Sequence, residues 1–248
     1  MLRRAIAMVA AVVVAVAGLV ACGSASAPGG GAVGYLGAVT AQSPREDGIA
    51  AATLPPSMTG ANLLVAIATG DGPDNPATQH TSLRDTGKHR WTLRDHHIVF
   101  GSIIDVYTAP VTGSETGSVL RSELTIKRGD EGHQLTVLAY RNGRFDTTTD
   151  RNGHFGLPQL SQTVPAGEDV LTVFGDGRRN DPITLVSGFR ALTVFPVDGG
   201  PRGDRDLYQV SHLDPPGSWP GGEMLTGNLA PPGSEYWGLV NVNIAPAS

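Results

Sequence analysis

The sequence predicts an all-β protein built as an antiparallel β-sandwich of the jelly-roll type. Short apolar segments rich in β-branched residues recur along the chain, and no segment after Cys22 has the periodicity of an amphipathic helix. Gly (33 residues) and Pro (18 residues) are abundant, which disfavours helices and suits short strands joined by turns. Without crossover helices the strands cannot form a parallel sheet, so an antiparallel arrangement is expected.

Eight segments carry the strand signal, and their patterns indicate how each is buried. Segment 62–69 is continuously apolar between glycines, as expected of a strand covered on both faces. Segment 120–127 alternates apolar and polar residues, which predicts one solvent-exposed face, and a loop at 129–132 is expected to join it in a hairpin to 134–140. The other predicted strands are 98–107 with a bulge at Gly101, 169–175, 192–197, 206–211 and 237–244. Turn clusters between the strands include Asn142-Gly143, Asn152-Gly153 and Pro215-Pro216-Gly217.

Two stretches of the chain resemble each other. Segments 62–72 and 169–177 are each an apolar strand that ends in Gly-Asp-Gly. In each half a strand with Asp and Tyr follows, and the half closes on another apolar strand. Three interpretations remain open: two similar halves that form the two sheets, two similar sets of hairpins, or a coincidence among Gly- and Val-rich strands.

The first 21 residues have the composition of a secretory signal peptide. Two arginines precede an uncharged apolar run at 5–19, which is shorter than the roughly 20 residues that a membrane-spanning helix needs. We therefore predict a leader helix over 1–21 that is removed from the mature protein. The alternative is an uncleaved membrane anchor.

The residues Leu19-Val20-Ala21-Cys22 resemble the lipobox of bacterial lipoprotein precursors. The resemblance covers only the first 22 residues. It implies cleavage after Ala21 and attachment of a diacylglyceryl group to the thiol of Cys22, the only cysteine of the chain. Two acyl chains give a stable anchor, so the implied location is the outer face of the cell membrane. The alternative for Cys22 is a buried thiol without lipid.

The predicted organisation is a signal peptide (1–21), a lipidated cysteine with a Gly/Ala/Pro-rich tether (22–56) and a single β-sandwich domain (57–248). Segment 23–34 is uncharged and Gly-rich, which is typical of a flexible linker. Segment 35–56 has two interpretations, as more tether or as a first edge strand.

The charge balance argues against nucleic acid as a partner. The net charge is −5, and removal of the leader with Arg3 and Arg4 makes it −7. A nucleic-acid-binding protein would show a basic stripe, and binding to anionic lipid would need basic clusters. Only Lys88 and Lys127 are lysines, and this preference for Arg, with the abundance of Ala, Gly and Pro, is typical of GC-rich genomes such as those of actinobacteria.

A second resemblance concerns the body of the chain. Segments 60–66 and 237–242 resemble the first and last strands of lectin-like and immunoglobulin-like β-sandwich modules from secreted actinobacterial and phage proteins. This resemblance implies a fold rather than an activity.

Motifs for catalysis are sparse, and we expect the protein not to be an enzyme. The Gly-x-Ser-x-Gly motif of a nucleophile elbow does not occur. Ser102, Ser187, Ser211 and His212 have no distinguishing context. Paired carboxylates of a glycosidase are compatible with the 23 acidic residues, so a lipid-anchored hydrolase of envelope polymers remains the alternative.

The sequence contains no regular metal-binding or cofactor-binding motif, and no cofactor is predicted. The seven histidines have no metal-binding spacing and are expected to be solvated surface residues, with His96 and His97 on opposite faces of a strand. Two oxygen-rich segments fit either calcium binding or simple turns. They contain Asp71, Asp74 and Asn75 in one case, and Asp176, Asn180 and Asp181 in the other.

The strongest candidate for a ligand contact is Trp219, on a Pro-stiffened loop at 215–222, with Tyr208 as a neighbour on a concave face. The alternative is that Trp219 covers the core. Trp91 and Trp237 are expected to pack inside. The predicted function is a membrane-anchored, non-catalytic binding or accessory module of the cell envelope, with a glycan, a protein or a small molecule as partner.

Overall fold

The chain forms fifteen β-strands and one 3-10 helix within the part that the structure describes. The strands are β1 (Gly34–Ser43), β2 (Ile49–Thr53), β3 (Leu63–Asp71), β4 (Thr81–Asp85), β5 (Thr92–Val99), β6 (Ser102–Pro110), β7 (Val119–Leu124), β8 (His133–Arg141), β9 (Gly143–His154), β10 (Gln159–Val164), β11 (Asp169–Asp176), β12 (Phe189–Asp198), β13 (Arg205–Leu213), β14 (Gly222–Gly227) and β15 (Tyr236–Pro246). The 3-10 helix is Pro56–Met58.

The computed structural model describes residues 32–43, 48–71, 78–99, 101–112, 116–125, 132–176, 184–198, 205–229 and 236–247. The predicted signal peptide, Cys22 and the Gly-rich segment up to residue 31 lie outside these ranges. Within these ranges no helix has the length and apolar character needed to cross a membrane.

The strands form two five-stranded and two smaller antiparallel sheets. The first large sheet has the order β1-β8-β3-β6-β5, and the second has the order β12-β13-β11-β15-β9. The smaller sheets are β2-β7-β4 and β10-β14. The predicted all-β, antiparallel sandwich class is therefore confirmed.

The strand pairing is nested in the way that defines a jelly roll. In the first half β1 pairs with β8, β2 with β7 and β3 with β6, as if one long hairpin had been wound up. The second half repeats this order, because β9 pairs with β15, β10 with β14 and β11 with β13. The internal similarity of the sequence thus reflects two halves of the same topology, in which the two Gly-Asp-Gly strands, β3 and β11, occupy equivalent central positions.

The four sheets are stacked in layers, with the two large sheets inside. One apolar cluster joins the facing surfaces of the large sheets and includes Val65 and Ile67 from the first and Val173 and Val240 from the second. The outer surfaces of the large sheets are covered by the smaller sheets through separate apolar clusters. Both faces of the central strands are therefore buried, which is why β3 and β11 read as continuously apolar.

The structure corrects the boundary of the folded domain, which the sequence placed at residue 57. Residues 34–43 form β1, an edge strand paired along its length with β8, and 49–53 form β2 in a cover sheet. Residues 34–43 and 49–53 therefore belong to the folded domain, and the alternative of a first edge strand in 35–56 is the correct one.

Two local expectations were also wrong. The single strand expected at 98–107 is two strands, β5 and β6, with Gly101 in the turn between them rather than in a bulge. The hairpin expected between 120–127 and 134–140 does not form, because β7 lies in a cover sheet and β8 in a large sheet. In a jelly roll, chain neighbours often lie in opposite layers.

Candidate ligand-binding groove

The two aromatic residues proposed as ligand contacts do not form a site. Tyr208 is fully buried and packs with Phe195 and Val197. Trp219 packs on the cluster under β14 that includes Met224, and its indole Nε1 donates to the carbonyl oxygen of Gly222 at 3.4 Å. The alternative that Trp219 covers the core is therefore correct, and Tyr208 is inaccessible to a ligand from solvent.

A different aromatic surface is open. A groove of about 370 Å³ is lined by Val99, Asn152, Gly153, His154, Tyr236 and Trp237. Val99 is the last residue of β5 in the first half, whereas the other five come from the end of β9 and the start of β15 in the second half. The groove therefore lies where an edge of the first large sheet meets an edge of the second.

Two glycines shape the floor of this groove. Gly153 is the cross-strand partner of Trp237, and a Cβ at Gly153 would lie 2.1 Å from the indole. The indole therefore lies directly on the backbone of β9, with Trp237 only 3% exposed. A Cβ at Gly238 would lie 2.3 Å from Val99, so this second glycine lets the two halves approach closely. The turn that the sequence predicted at Asn152-Gly153 is instead part of β9.

Three aromatic rings contact one another beside the groove. The rings of His154 and Tyr236 are stacked with centroids 4.3 Å apart, and the ring of Phe155 is tilted by 39° against that of His154 with the centroids 4.2 Å apart. Phe155 is 60% exposed, and its carbonyl oxygen accepts a hydrogen bond from the indole Nε1 of Trp237 at 3.3 Å. His154 and Tyr236 thus cover each other's ring faces, and Phe155 is the largely exposed ring of this rim. Sequence analysis missed this rim, although Tyr236 directly precedes the predicted strand at 237–244 and His154 directly follows the predicted turn at Asn152-Gly153.

Asn152 connects the groove to the first half of the chain through side-chain hydrogen bonds. Its Nδ2 donates to the carbonyl oxygen of Ile98 at 2.9 Å, so its Oδ1 is the acceptor for His97 Nε2, also at 2.9 Å. His97 Nδ1 in turn lies 3.3 Å from the carboxylate of Asp150. These contacts occupy the edge of β9 beside the groove, and they connect β9 to β5 across the boundary between the halves.

A second polar cluster closes the open edge of the first half between β4 and β5. The buried carboxylate of Asp105 accepts from His96 Nδ1 at 2.5 Å and from the Thr81 amide and hydroxyl at 2.9 and 2.6 Å. Nearby, Asp85 contacts His89 and accepts from the Trp91 indole at 2.9 Å. Three donors on one buried carboxylate explain its burial. A carboxylate that is hydrogen-bonded to an imidazole can also orient that histidine as a general base. The pairs His96–Asp105 and His89–Asp85 are therefore the residues that the hydrolase alternative would use.

The histidines are less solvated than the sequence suggested. His97, His133 and His212 are buried, so the expectation of seven surface histidines is wrong for these three. The opposite orientation of His96 and His97 is confirmed, since one contacts Asp105 and the other Asn152. These histidines can be buried because neighbouring strands supply polar partners for their rings. The sequence around a histidine does not reveal which strands will be its neighbours, so this burial could not be predicted.

The structure describes only some of the residues in the two oxygen-rich segments. Within the described ranges no three His, Cys, Asp or Glu side chains are grouped in a way that would hold a metal ion. Asp74, Asn75, Asn180 and Asp181 of the two oxygen-rich segments lie outside those ranges. Asp176 is buried at the end of β11.

Comparison with known proteins gives no family for this chain. No protein-family model matches it, and neither the curated proteins nor the solved structures contain a significant match.

Proposed function

We propose that the protein is a lipid-anchored, non-catalytic binding module held at the outer face of a bacterial cell membrane, with the aromatic groove as its ligand site. The lipobox-like residues Leu19–Cys22 support the anchor, and the segment before Gly34 supports a flexible link to it. A linker of this length spans roughly 20 Å on average, so the folded body would stand close to the bilayer.

The observation that carries this proposal is the position of the groove relative to the start of the fold. Ala32, which precedes β1, contacts Asn142, the residue directly before β9: the Asn142 Nδ2 donates to the Ala32 carbonyl oxygen at 3.4 Å. The groove lies at the other end of β9, at Asn152–His154. At about 3.3 Å per residue, these ends are roughly 30 Å apart. Ala32, the first described residue, therefore lies far from the groove, which supports a groove that stays accessible in an anchored protein.

The anchor is tested by the variant Cys22→Ala. Because the thiol is the predicted acceptor of the diacylglyceryl group, we expect the variant to lose its lipid and to keep its leader uncleaved by the lipoprotein peptidase. The measurements are the intact mass of the purified protein and its partition between membrane and soluble fractions. The control is Ser24→Ala, beside the predicted attachment point, which should leave both unchanged.

Two outcomes contradict the anchor. One is a wild-type protein that carries an unmodified thiol and an intact leader. The other is a Cys22→Ala variant with the same detergent partition and mass increment as the wild type.

A further inference from the structure

The outer face of the cover sheet β2-β7-β4 is basic. Side chains alternate between the two faces of a strand, and the exposed residues of β4 and β7 include Arg84 and Arg121. The segment between β4 and β5 adds the exposed side chains of Lys88 and Arg90. Glu123 is the one carboxylate among the outward residues of the three strands, and it lies 3.6 Å from the Arg121 guanidinium. The surface is therefore positive, although the net charge of the chain is −5.

Two of these cations are direct cross-strand neighbours. Arg84 and Arg121 are opposite each other in the β4–β7 register, and Ala51 of β2 lies on the other side of Arg121. Like charges in opposite positions repel each other, so an anion above the two guanidinium groups would stabilise them. Guanidinium groups bind phosphate oxygens through paired N–H donors. The carboxylate of Asp85 cannot serve as this anion, because it is turned inward and contacts His89.

The basic face lies close to the point where the chain enters the fold. Leu36 and Val39 of β1 pack in the apolar cluster beneath the sheet β2-β7-β4. Arg90 precedes β5, and β5 begins at the end of the large sheet where β1 also begins. The nine residues between Cys22 and Ala32 can extend to about 35 Å at most. A lipid on Cys22 would thus hold this face within reach of the bilayer surface.

The outer face of the other cover sheet has a different character. β10 contains no charged residue, and the one charged residue of β14 is Glu223. Its carboxylate accepts hydrogen bonds from the hydroxyl groups of Ser161 and Thr163, and the exposed Leu225 lies two residues further along. The two halves share one topology but not one surface charge, so the cations of the first half are not a requirement of the fold.

From this placement we infer that the basic face of β2-β7-β4 docks on anionic phospholipid headgroups of the membrane that holds the anchor. The inference rests on the proposed lipid anchor and adds an orientation to it. Basic residues beside a membrane are attracted to its anionic leaflet within a Debye length, about 8 Å at physiological salt. The groove lies at the opposite end of the large sheets, where β5 ends at Val99, and stays clear of the bilayer. The sequence shows no basic cluster, because Arg84 and Arg121 are brought together only by the pairing of β4 with β7.

The test places a fluorescent label on this face. The full chain is produced with Ala51→Cys, labelled there with a dye, and reconstituted in vesicles of phosphatidylcholine alone or mixed with phosphatidylglycerol. Quenching by headgroup spin-labelled lipid measures how close the dye lies to the bilayer. Ala51 is exposed and lies beside Arg121 without contributing a charge. The matched control is Ser161→Cys, exposed on the outer face of the other cover sheet, and the chain without a new cysteine reports any labelling of Cys22.

The expected result is strong quenching at position 51 in the mixed vesicles, and weak quenching there in the neutral vesicles and at position 161 in both. Arg84→Gln combined with Arg121→Gln should lower the ratio of docked to undocked chains roughly 25-fold, at about fivefold for each basic residue lost. Both arginines are exposed, so the melting temperature should not change. The charge control is Arg151→Gln, at an exposed position near the other end of β9, which should quench as the parent chain does.

Four outcomes overturn the inference. They are equal quenching at position 51 in neutral and mixed vesicles, equal quenching with and without the two arginines, stronger quenching at position 161 than at position 51, and equally tight binding of soluble polyphosphate. The last outcome would assign the face to a soluble polymer. Failure of the anchor is read separately, from the intact mass. A chain that is lipidated on Cys22 but whose dye is not quenched contradicts the docking alone, whereas a chain without lipid contradicts the anchor.

Discussion

At the scale of residues, a buried polar cluster lies between the two large sheets, near the start of β1. The ring of Tyr35 lies 4.8 Å from that of His212 and 5.8 Å from that of Tyr140. Burial raises the pKa of Asp169 to about 7, although the Tyr140 hydroxyl and the backbone at Val170 act in the opposite direction. Burial also lowers the pKa of His212 to about 4, with Arg190 nearby adding to the effect. Both side chains are thus neutral in the folded protein at mildly acidic pH.

These two shifts have opposite consequences for stability. A carboxyl whose pKa is raised on folding contributes stability that is lost as pH rises from about 4 to about 7. An imidazole whose pKa is lowered on folding contributes stability that is lost as pH falls from about 6.5 to about 4. Between pH 4 and 6.5 folding moves one proton from the imidazole to the carboxyl, so the two dependences cancel in the wild type.

Single variants should reveal each dependence. Relative to the wild type, we expect the free energy of unfolding of Asp169→Asn to gain a positive slope of up to about 1.4 kcal/mol per pH unit between pH 4 and 6.5. His212→Asn should gain a negative slope of similar size over the same range. The measurement is urea denaturation at several pH values. The control is Asp146→Asn, at an exposed position of β9. A double variant, Asp169→Asn with His212→Asn, whose free energy of unfolding depends on pH much more strongly than that of the wild type would contradict this account.

At the scale of elements, the edge strands differ from the central strands in regularity. Each outer strand of the two large sheets contains one extra residue relative to its neighbour: Leu36 in β1, Arg94 in β5, Asp146 in β9 and Leu192 in β12. The four pairings that involve the central strands β3 and β11 have no such shift. Bulges increase the twist of an edge and make it a poor template for pairing with another chain, so they protect the open edges of the sheets.

β1 is the element that the predicted organisation placed in the tether, with an edge strand as the stated alternative. Its sequence, GYLGAVTAQS, continues the small-residue composition of the preceding linker. Tyr35 and Ala38 nevertheless pack on the core between the large sheets, while Leu36 and Val39 pack on the core under the cover sheet. The two faces of this strand thus contribute to two different cores.

Deletion of residues 34–43 tests this role. Without β1 the buried side chains of β8 would be exposed on a new edge, so we expect a loss of at least about 5 kcal/mol, which equals the whole stability of many domains. The measurement is thermal and urea unfolding followed by circular dichroism. Deletion of residues 23–31 is the control and should leave the melting temperature unchanged. Equal melting temperatures for the two deletions would show that β1 is dispensable.

At the scale of the whole molecule, the two halves share one core. The inner faces of the large sheets meet through side chains such as Leu63, Val65, Leu171 and Val242. Neither half can bury its inner face alone, although each has its own cover sheet on the outer face. The groove also depends on both halves, because Val99 comes from the first and Trp237 from the second.

Separation of the halves should therefore abolish the native state. Residues 34–141 and 143–247, expressed as separate chains, would each expose the apolar face of a five-stranded sheet, which favours aggregation. We expect poor dispersion of amide NMR signals and large species in size exclusion for each half, with recovery of a native-like complex when they are refolded together. A monomeric half with a cooperative unfolding transition would contradict the shared core.

The sequence by itself determined the strand content and seven of the eight predicted strands, and it showed the similarity of two stretches without deciding its origin. These follow from local rules, since turn residues and apolar patterns report on the few residues around them. The lipid attachment at Cys22 is likewise a prediction from local sequence, and the described residues do not reach it.

Only the tertiary structure decided which strands pair, which faces are buried and where an open site remains. Aligned by their Gly-Asp-Gly ends, Ile67 of the first half corresponds to Thr172 of the second. Ile67 faces the core between the large sheets, whereas Thr172 faces the cover sheet and donates to Asn241. A shift of one residue reverses the faces of a strand, and contacts between distant strands set that register. The groove arises in the same way, because its aromatic rim and its opposite wall are separated by more than fifty residues in the chain and meet only when the two edges come together.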